Sequence, residues 1–213
     1  MKNKLLGVAQ AILLALVILS GAIALPILCR PFFYAHIAPM QLTEAVGLTA
    51  SEIKTAYNEM MNYCIGLRDT FSAGSLPFSQ EGMSHFADVR KLFLLDLWVL
   101  AGSVPLLALS LFAGRRKQIR LAGHTSGFWS ATGLAATFLV VGGLVSINFE
   151  KAFEVFHTLF FPGKDNWLFD SATDPIILML SAEFFRNCAI LIFACILLAC
   201  GGLLLWDAKK RKK

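Results

Sequence analysis

Apolar residues along this chain gather into four long runs, separated by segments dense in polar and charged side chains. The runs extend from about Leu5 to Leu28, Leu92 to Ala113, Phe128 to Phe149 and Phe184 to Trp206. A helix needs roughly 20 mostly apolar residues to cross a bilayer, and each run meets that length. The pattern predicts a mainly α, polytopic membrane protein with four transmembrane helices, residues 1–213 forming one integral membrane domain. Lys2 and Lys4 precede the first run, as they would a signal peptide. Its apolar stretch is longer than the ~7–15 residues of a signal core, and no small-x-small cleavage site precedes a soluble mature domain, so it reads as a retained span.

Basic residues in the short connections set the expected orientation. Lys2 and Lys4 lie before the first span, Arg115, Arg116, Lys117 and Arg120 between the second and third, and Lys209, Lys210, Arg211, Lys212 and Lys213 after the fourth. All three segments point to the cytoplasm. Residues 114–127 then form a cytoplasmic loop and 207–213 a cytoplasmic tail, with both termini inside. Residues 29–91 and 150–182 form a small extracytoplasmic cap. Every Asp and Glu except Asp207 falls in the two cap segments or within the outer part of a span.

Composition agrees. Hydrophobic residues make up 57% and charged residues 15%, with a mean hydropathy of +0.66; soluble domains carry roughly 45–50% apolar and about 25% charged residues. The net charge of +5 follows from the topology and gives no footing for nucleic acid; a basic tail serves contact with anionic membrane lipid. Of the five cysteines, Cys188, Cys195 and Cys200 lie in the fourth run at no metal-ligand spacing. Cys29 and Cys64 could pair outside or stay free as packing thiols, and the spacing leaves both open.

Within the cap, Thr49-Ala50-Ser51-Glu52 has capping-box spacing. Ile53, Ala56, Tyr57, Met60, Met61 and Cys64 follow at helical spacing, so Thr49–Ile65 reads as an amphipathic helix. Arg30–Ile37 and Asn166–Asp170 are aromatic and read as short extended segments, leaving room for a small sheet.

The candidate chemistry lies on the same side. In Ser84-His85-Phe86-Ala87-Asp88-Val89-Arg90-Lys91, His85 and Asp88 are three apart and share a helical face. Asp96 continues that face one layer deeper, and an acid within a span marks a functional site by default. Arg90 and Lys91 stand at headgroup depth, where they either contact substrate oxygens or snorkel as anchors. From Phe149 to Gly163, Phe149, Phe153, Phe156 and Phe160 form an apolar stripe flanked by Glu150, Glu154 and His157, and Pro162-Gly163 ends the helix. Glu154 and His157 form a single Glu-x-x-His. A di-metal bundle site needs two such motifs plus two further acids, so no metal is assigned. Taken alone, either histidine is an interface residue as readily as a catalyst. Two of them, each with acids at helical spacing, make an acid–base pair a balanced alternative. His36 and His124 are set aside. No Gly-x-Ser-x-Gly elbow occurs, and Ser84 does not face His85.

Two long motifs carry a resemblance: Leu76-Pro77-Phe78-Ser79-Gln80-Glu81-Gly82-Met83-Ser84-His85-Phe86-Ala87-Asp88-Val89, and Phe156-His157-Thr158-Leu159-Phe160-Phe161-Pro162-Gly163-Lys164-Asp165-Asn166-Trp167-Leu168-Phe169-Asp170. The chain resembles the lipoprotein intramolecular transacylases of Gram-positive bacteria, over essentially its whole length. The resemblance implies transfer of an acyl chain from the middle glycerol carbon of a diacylglyceryl lipoprotein to the α-amine of its N-terminal cysteine, giving an N-acyl lyso-form. It maps the family's paired histidines onto His85 and His157 and implies no cofactor. Asp88, Glu154, Asp170 and Asp96 are candidate supporting acids; Arg90, Lys91 and Trp167 are candidate substrate contacts. A lipid-ester hydrolase and a non-catalytic membrane interaction protein stand as alternatives. The oligomeric state is not legible.

Overall fold

The computed structural model describes residues 2–115 and 119–212; Arg116, Lys117 and Lys213, three of the basic residues used for orientation, lie outside the described residues. Nine helices occur among these residues: α1 (Lys2–Leu28), α2 (Arg30–Tyr34), α3 (Leu42–Val46), α4 (Ala50–Cys64), α5 (Gln80–Gly114), α6 (Ser126–Ile147), α7 (Phe149–Phe160), α8 (Ile176–Met179) and α9 (Ala182–Arg211). Four of them, α1, α5, α6 and α9, are long and apolar enough to cross a membrane. Their large side chains are openly exposed, as at Trp98 (73%), Leu139 (63%) and Leu198 (77%). Contiguous apolar exposure of this kind is untenable in water and expected against lipid. The chain is a multi-pass membrane protein.

The chain divides into two compact units, residues 1–24 with 96–146 and 190–213, and residues 25–95 with 147–189. In the first unit Ala22, Ala131, Leu134, Ile196 and Cys200 form a buried cluster from α1, α6 and α9. Two alanines and a cysteine here let helix backbones approach closely, the usual route to packing in lipid. At one end of this unit the buried Asp207 carboxylate accepts the Thr125 N–H (2.7 Å) and meets His124 Nδ1 (2.8 Å).

The second unit holds most of the polar residues. In α4 the capping box forms, with Thr49 Oγ1 accepting from Glu52 N and the Glu52 carboxylate accepting from Thr49 N. All six apolar positions read from its periodicity, Ile53, Ala56, Tyr57, Met60, Met61 and Cys64, are buried. Tyr57 stacks on Phe33 (3.7 Å between centroids), and Phe184 meets both rings edge-on. Cys29 and Cys64 are free thiols.

The extended segments expected over Arg30–Ile37 and Asn166–Asp170 are corrected. The first is helix α2 followed by turns, the second a turn, and the described residues contain no strand beyond one isolated bridge, Leu121–His124. Pro31 at the start of α2 explains the former: its fixed φ suits a first helical turn, and its missing N–H would be unpaired there anyway. The third apolar run also ends earlier than the expected Phe149. Asn148 adopts φ −154°, leaves the helix, and caps α7 by accepting from Lys151 N (2.9 Å).

α5 positions the site. Its 35 residues span about 52 Å, well beyond the ~30 Å of a hydrocarbon core. The turns from Gln80 to Lys91 therefore precede the apolar run that starts at Leu92. Ser79 caps this end, its hydroxyl accepting from Gly82 N (2.9 Å), while Ser79 N donates to Asp174 Oδ1 (2.8 Å). Gly82 is required here. A Cβ would clash with Asp174 Oδ1, and that carboxylate is held on its other oxygen by Thr173 (2.8 Å). Gly82→Ala is expected to destabilise the protein by about 1–3 kcal/mol, as overpacking does, lowering the thermal unfolding midpoint in detergent. An unchanged midpoint would show that Asp174 is free to move aside.

Candidate active site

His85 on α5 and His157 on α7 are both buried (5% and 7% exposed), with ring centroids 5.8 Å apart and planes inclined by 29°. Aromatic rings enclose them. Phe161 lies 4.9 Å from His85 and 5.6 Å from His157; Phe169 lies 5.4 Å from His85; Phe153 and Trp167 lie 4.2 and 4.8 Å from His157. The Trp167 indole N–H donates to the Lys164 carbonyl (2.9 Å), which fixes its ring over His157.

The two imidazoles are held differently. His157 Nδ1 lies 2.8 Å from the Phe153 carbonyl, one helical turn back. A carbonyl only accepts, so Nδ1 carries the proton and Nε2 keeps a bare lone pair. His85 Nδ1 is sealed from solvent with no hydrogen-bond partner. Burial, and then the proximity of His157, push His85 down to about 4. Burial also lowers His157, against the support of the Phe153 carbonyl. Both rings are therefore neutral at physiological pH.

One charge is buried with them. Asp88 (8% exposed) receives Lys91 Nζ on Oδ1 (3.0 Å), and Lys164 Nζ on Oδ2. Burial raises its pKa, but the two ammonium groups outweigh it and hold the carboxyl down at about 2. Asn166 Nδ2 adds a longer contact to Asp88 Oδ2 (3.4 Å) and one to Ser84 Oγ (3.3 Å). Beside this cluster lies a cleft of about 260 Å³ lined by Asp88, Lys91, Lys164, Phe160, Phe161 and Pro162.

Other residues expected at the site lie elsewhere. Glu154 is half exposed and pairs with Lys151 (2.8 Å). Asp170 folds its own turn, accepting from Ala172 N (2.9 Å). Arg90 donates to the Arg68 carbonyl (2.6 Å) and Asp69 (3.2 Å), with its guanidinium over the Tyr63 ring. Asp96 falls in the first unit, its Oδ2 buried without a partner. Lys164, Asn166, Phe161 and Phe169, all within the second quoted motif, reach the histidines or Asp88 although helical spacing alone did not single them out. Phe161 caps the end of α7, and the other three follow Pro162-Gly163, where no periodicity reports direction.

The model of the family described as lipoprotein intramolecular transacylase Lit matches residues 8–185. The chain belongs to the Lit family. A solved structure of the lipoprotein intramolecular transacylase Lit from Bacillus cereus is similar to it, with 25% identity, TM-score 0.89 and coverage of 99% of this chain and 98% of that one. Structures of the Bacillus cereus protein with an H85R mutation (25% identity, TM-score 0.81, covering 99% and 94%) and with an H85A mutation (26%, 0.79, 99% and 96%) are similar as well. No curated protein sequence matches the chain. This Lit transacylase is thus an acyltransferase of lipoprotein maturation, acting on the diacylglyceryl moiety of lipoproteins.

Its buried imidazoles make stability depend on acidity. Unfolded, each takes a proton near pH 6.5; folded, each resists it. The unfolded chain therefore binds more protons as pH falls below 6.5, and stability drops. With His85 titrating at about 4, its share of that loss reaches roughly 3 kcal/mol by pH 4. The unfolding midpoint of this Lit transacylase in detergent should fall between pH 6.5 and 4, and His85→Gln should flatten the fall. An equal slope in the variant would place the titration elsewhere.

Proposed function

We propose that His85 and His157 carry out the acyl transfer as an acid–base pair, with His157 as base towards the attacking amine and His85 as acid towards the leaving glyceryl oxygen. The supporting observation is the juxtaposition of two neutral, buried imidazoles inside one aromatic enclosure, one with its lone pair fixed by the Phe153 carbonyl.

The proton inventory fits the pair. The substrate's α-amine has a pKa of about 8 and arrives mostly as ammonium. It must lose two protons to become an amide. One passes through His85 to the alkoxide released from the middle glycerol carbon; the other goes to His157 and then to solvent. The N–C bond forms, the ester C–O bond breaks, and no redox partner or external energy is involved. Amine attack closes an eight-membered ring, so the enclosure also holds the substrate curled. Lys164 and Lys91, at the rim of the cleft, are placed to attract the oxyanion of the tetrahedral intermediate.

The basic-residue pattern supports cytoplasmic termini, and with them histidines at the outer leaflet. Helix α7 fits that depth. Its Val155, Phe156, Leu159 and Phe160 are exposed while His157 is buried, so one face suits lipid and another the site. Substrate acyl chains anchored in that leaflet would reach the imidazoles without leaving the membrane. Trp167 acts as the wall against which the substrate packs.

Mass spectrometry of a diacylated lipopeptide incubated with the purified protein tests the reading. Wild type should give a product of unchanged mass with a blocked N-terminus. His85→Ala and His157→Ala, inserted and folded, should each slow this by at least about a hundredfold, the lower range for lost acid–base catalysis. Loss of the acyl mass would instead mark a lipid-ester hydrolase. Full transfer by both variants would leave the histidines without a chemical role.

A further inference from the structure

We infer that Asn166 is a positioning residue for His85, its side-chain Oδ1 accepting from His85 Nδ1–H and thereby fixing Nε2 as the nitrogen that works. The inference deepens, and rests on, the two-histidine reading above.

Of the four buried polar atoms in this unit that lack partners, two belong to the site, His85 Nδ1 and Asn166 Oδ1. They complement one another. An amide oxygen can only accept, and an imidazole nitrogen donates when protonated. Asn166 also reaches the same stretch of α5, its Nδ2 meeting Ser84, the residue before His85, and Asp88, one turn on.

The amide cannot turn round. Asn166 Nδ2 faces Asp88 Oδ2 (3.4 Å) and Ser84 Oγ (3.3 Å). Asp88 is ionised, because Lys91 and Lys164 hold it so, and a carboxylate only accepts. Flipping Asn166 would set Oδ1 against that carboxylate. The amide orientation is thus dictated by Asp88, and the Oδ1 acceptor remains for His85. The chain of control runs from the lysine pair to Asp88, from Asp88 to Asn166, and from Asn166 to the imidazole.

An amide at this place differs chemically from a carboxylate. It fixes the tautomer without a second buried negative charge, so His85 stays neutral at rest with Nε2 bare. His85 must then be charged before it can serve as an acid, and the substrate's ammonium supplies that proton. When Nε2 takes it up, Asn166 Oδ1 supports the imidazolium through Nδ1–H. The groups that set its acidity are His157 and Lys164, which disfavour the charge, and Asp88, which favours it; Lys91 acts only behind Asp88.

The test uses the full-length protein in detergent, labelled with ¹⁵N-histidine. The His85 signals are assigned by their absence in His85→Gln. Wild type at neutral pH is expected to show protonated Nδ1 and bare Nε2 at His85, and Asn166→Ala to lose that preference. With the lipopeptide, Asn166→Ala should lower kcat by about ten- to a hundredfold with KM little changed. Asn166→Asp, which places a carboxylate on the ring, should move the acidic limb of the rate profile to higher pH. A wild-type His85 protonated on Nε2 would overturn the inference. So would variants slowed equally at every pH with the limb unmoved, the mark of a merely structural role. The tautomer measurement needs no turnover. A wild type that shows the expected tautomer but no acyl shift would therefore sink the two-histidine reading and leave the Asn166 contact standing.

Discussion

A neutral imidazole tolerates burial and a charged one does not, and the arrangement of this site follows from that asymmetry. His85 and His157 sit among Phe153, Phe161, Trp167 and Phe169, where water is scarce. Desolvation penalises the imidazolium, so both rings are bases by default. An unprotonated ring is free to take up a proton, and its conjugate acid, disfavoured in a dry site, gives that proton up readily. The aromatic residues therefore tune the imidazoles as well as shaping the enclosure.

The anion buried beside the imidazoles has to be reconciled with that dryness. Asp88 lies within the same enclosure, and a lone carboxylate there would be costly. Lys91 and Lys164 remove most of the cost, and the more exposed Lys91 is kept near by helical spacing alone. With two cations on it, Asp88 makes no hydrogen bond to the imidazoles and reaches His85 only through its charge. It fixes its neighbours instead: Lys164 at the mouth of the cleft, and Asn166 through its amide N–H groups. This explains why a residue three positions from His85, on the same helical face, makes no hydrogen bond to its ring.

Much of this was legible in the residues themselves. The four spans follow from the length of the apolar runs, and α4 from Thr49–Glu52 with its six apolar positions, because both depend on local periodicity. His85, Asp88 and His157 stand out because polar groups beside apolar runs are expensive to keep. The parts that periodicity cannot reach were not visible. The Phe153 carbonyl carries no side-chain signal. Lys164 and Asn166 lie beyond Pro162-Gly163, where the backbone direction is set by turns. Glu154 had the right spacing to reach His157, but Lys151, three residues before it, offers a nearer partner at the surface, and the ring's Nδ1 is satisfied by backbone. The aromatic segment after Cys29 read as extended because Phe and Tyr favour strands; Pro31 at a helix start decided otherwise.

The enclosure also bears on why an ester held here would pass to an amine rather than to water. Both nucleophiles can attack the same carbonyl, and water is abundant outside the site. The amine, however, belongs to the same molecule as the ester. Held in a reactive geometry, an intramolecular group competes at an effective concentration of about 10⁵–10⁸ M, far above that of any solvent. The advantage holds only if the chain is kept folded back on itself, since an eight-membered ring is not favoured by a free lipopeptide. Rigid rings such as Trp167, pinned by its indole N–H to the Lys164 carbonyl, supply walls that lose little entropy when a substrate packs against them. On the proposed reading, the same walls that depress the histidines favour aminolysis twice, by excluding water and by holding the amine over its own ester.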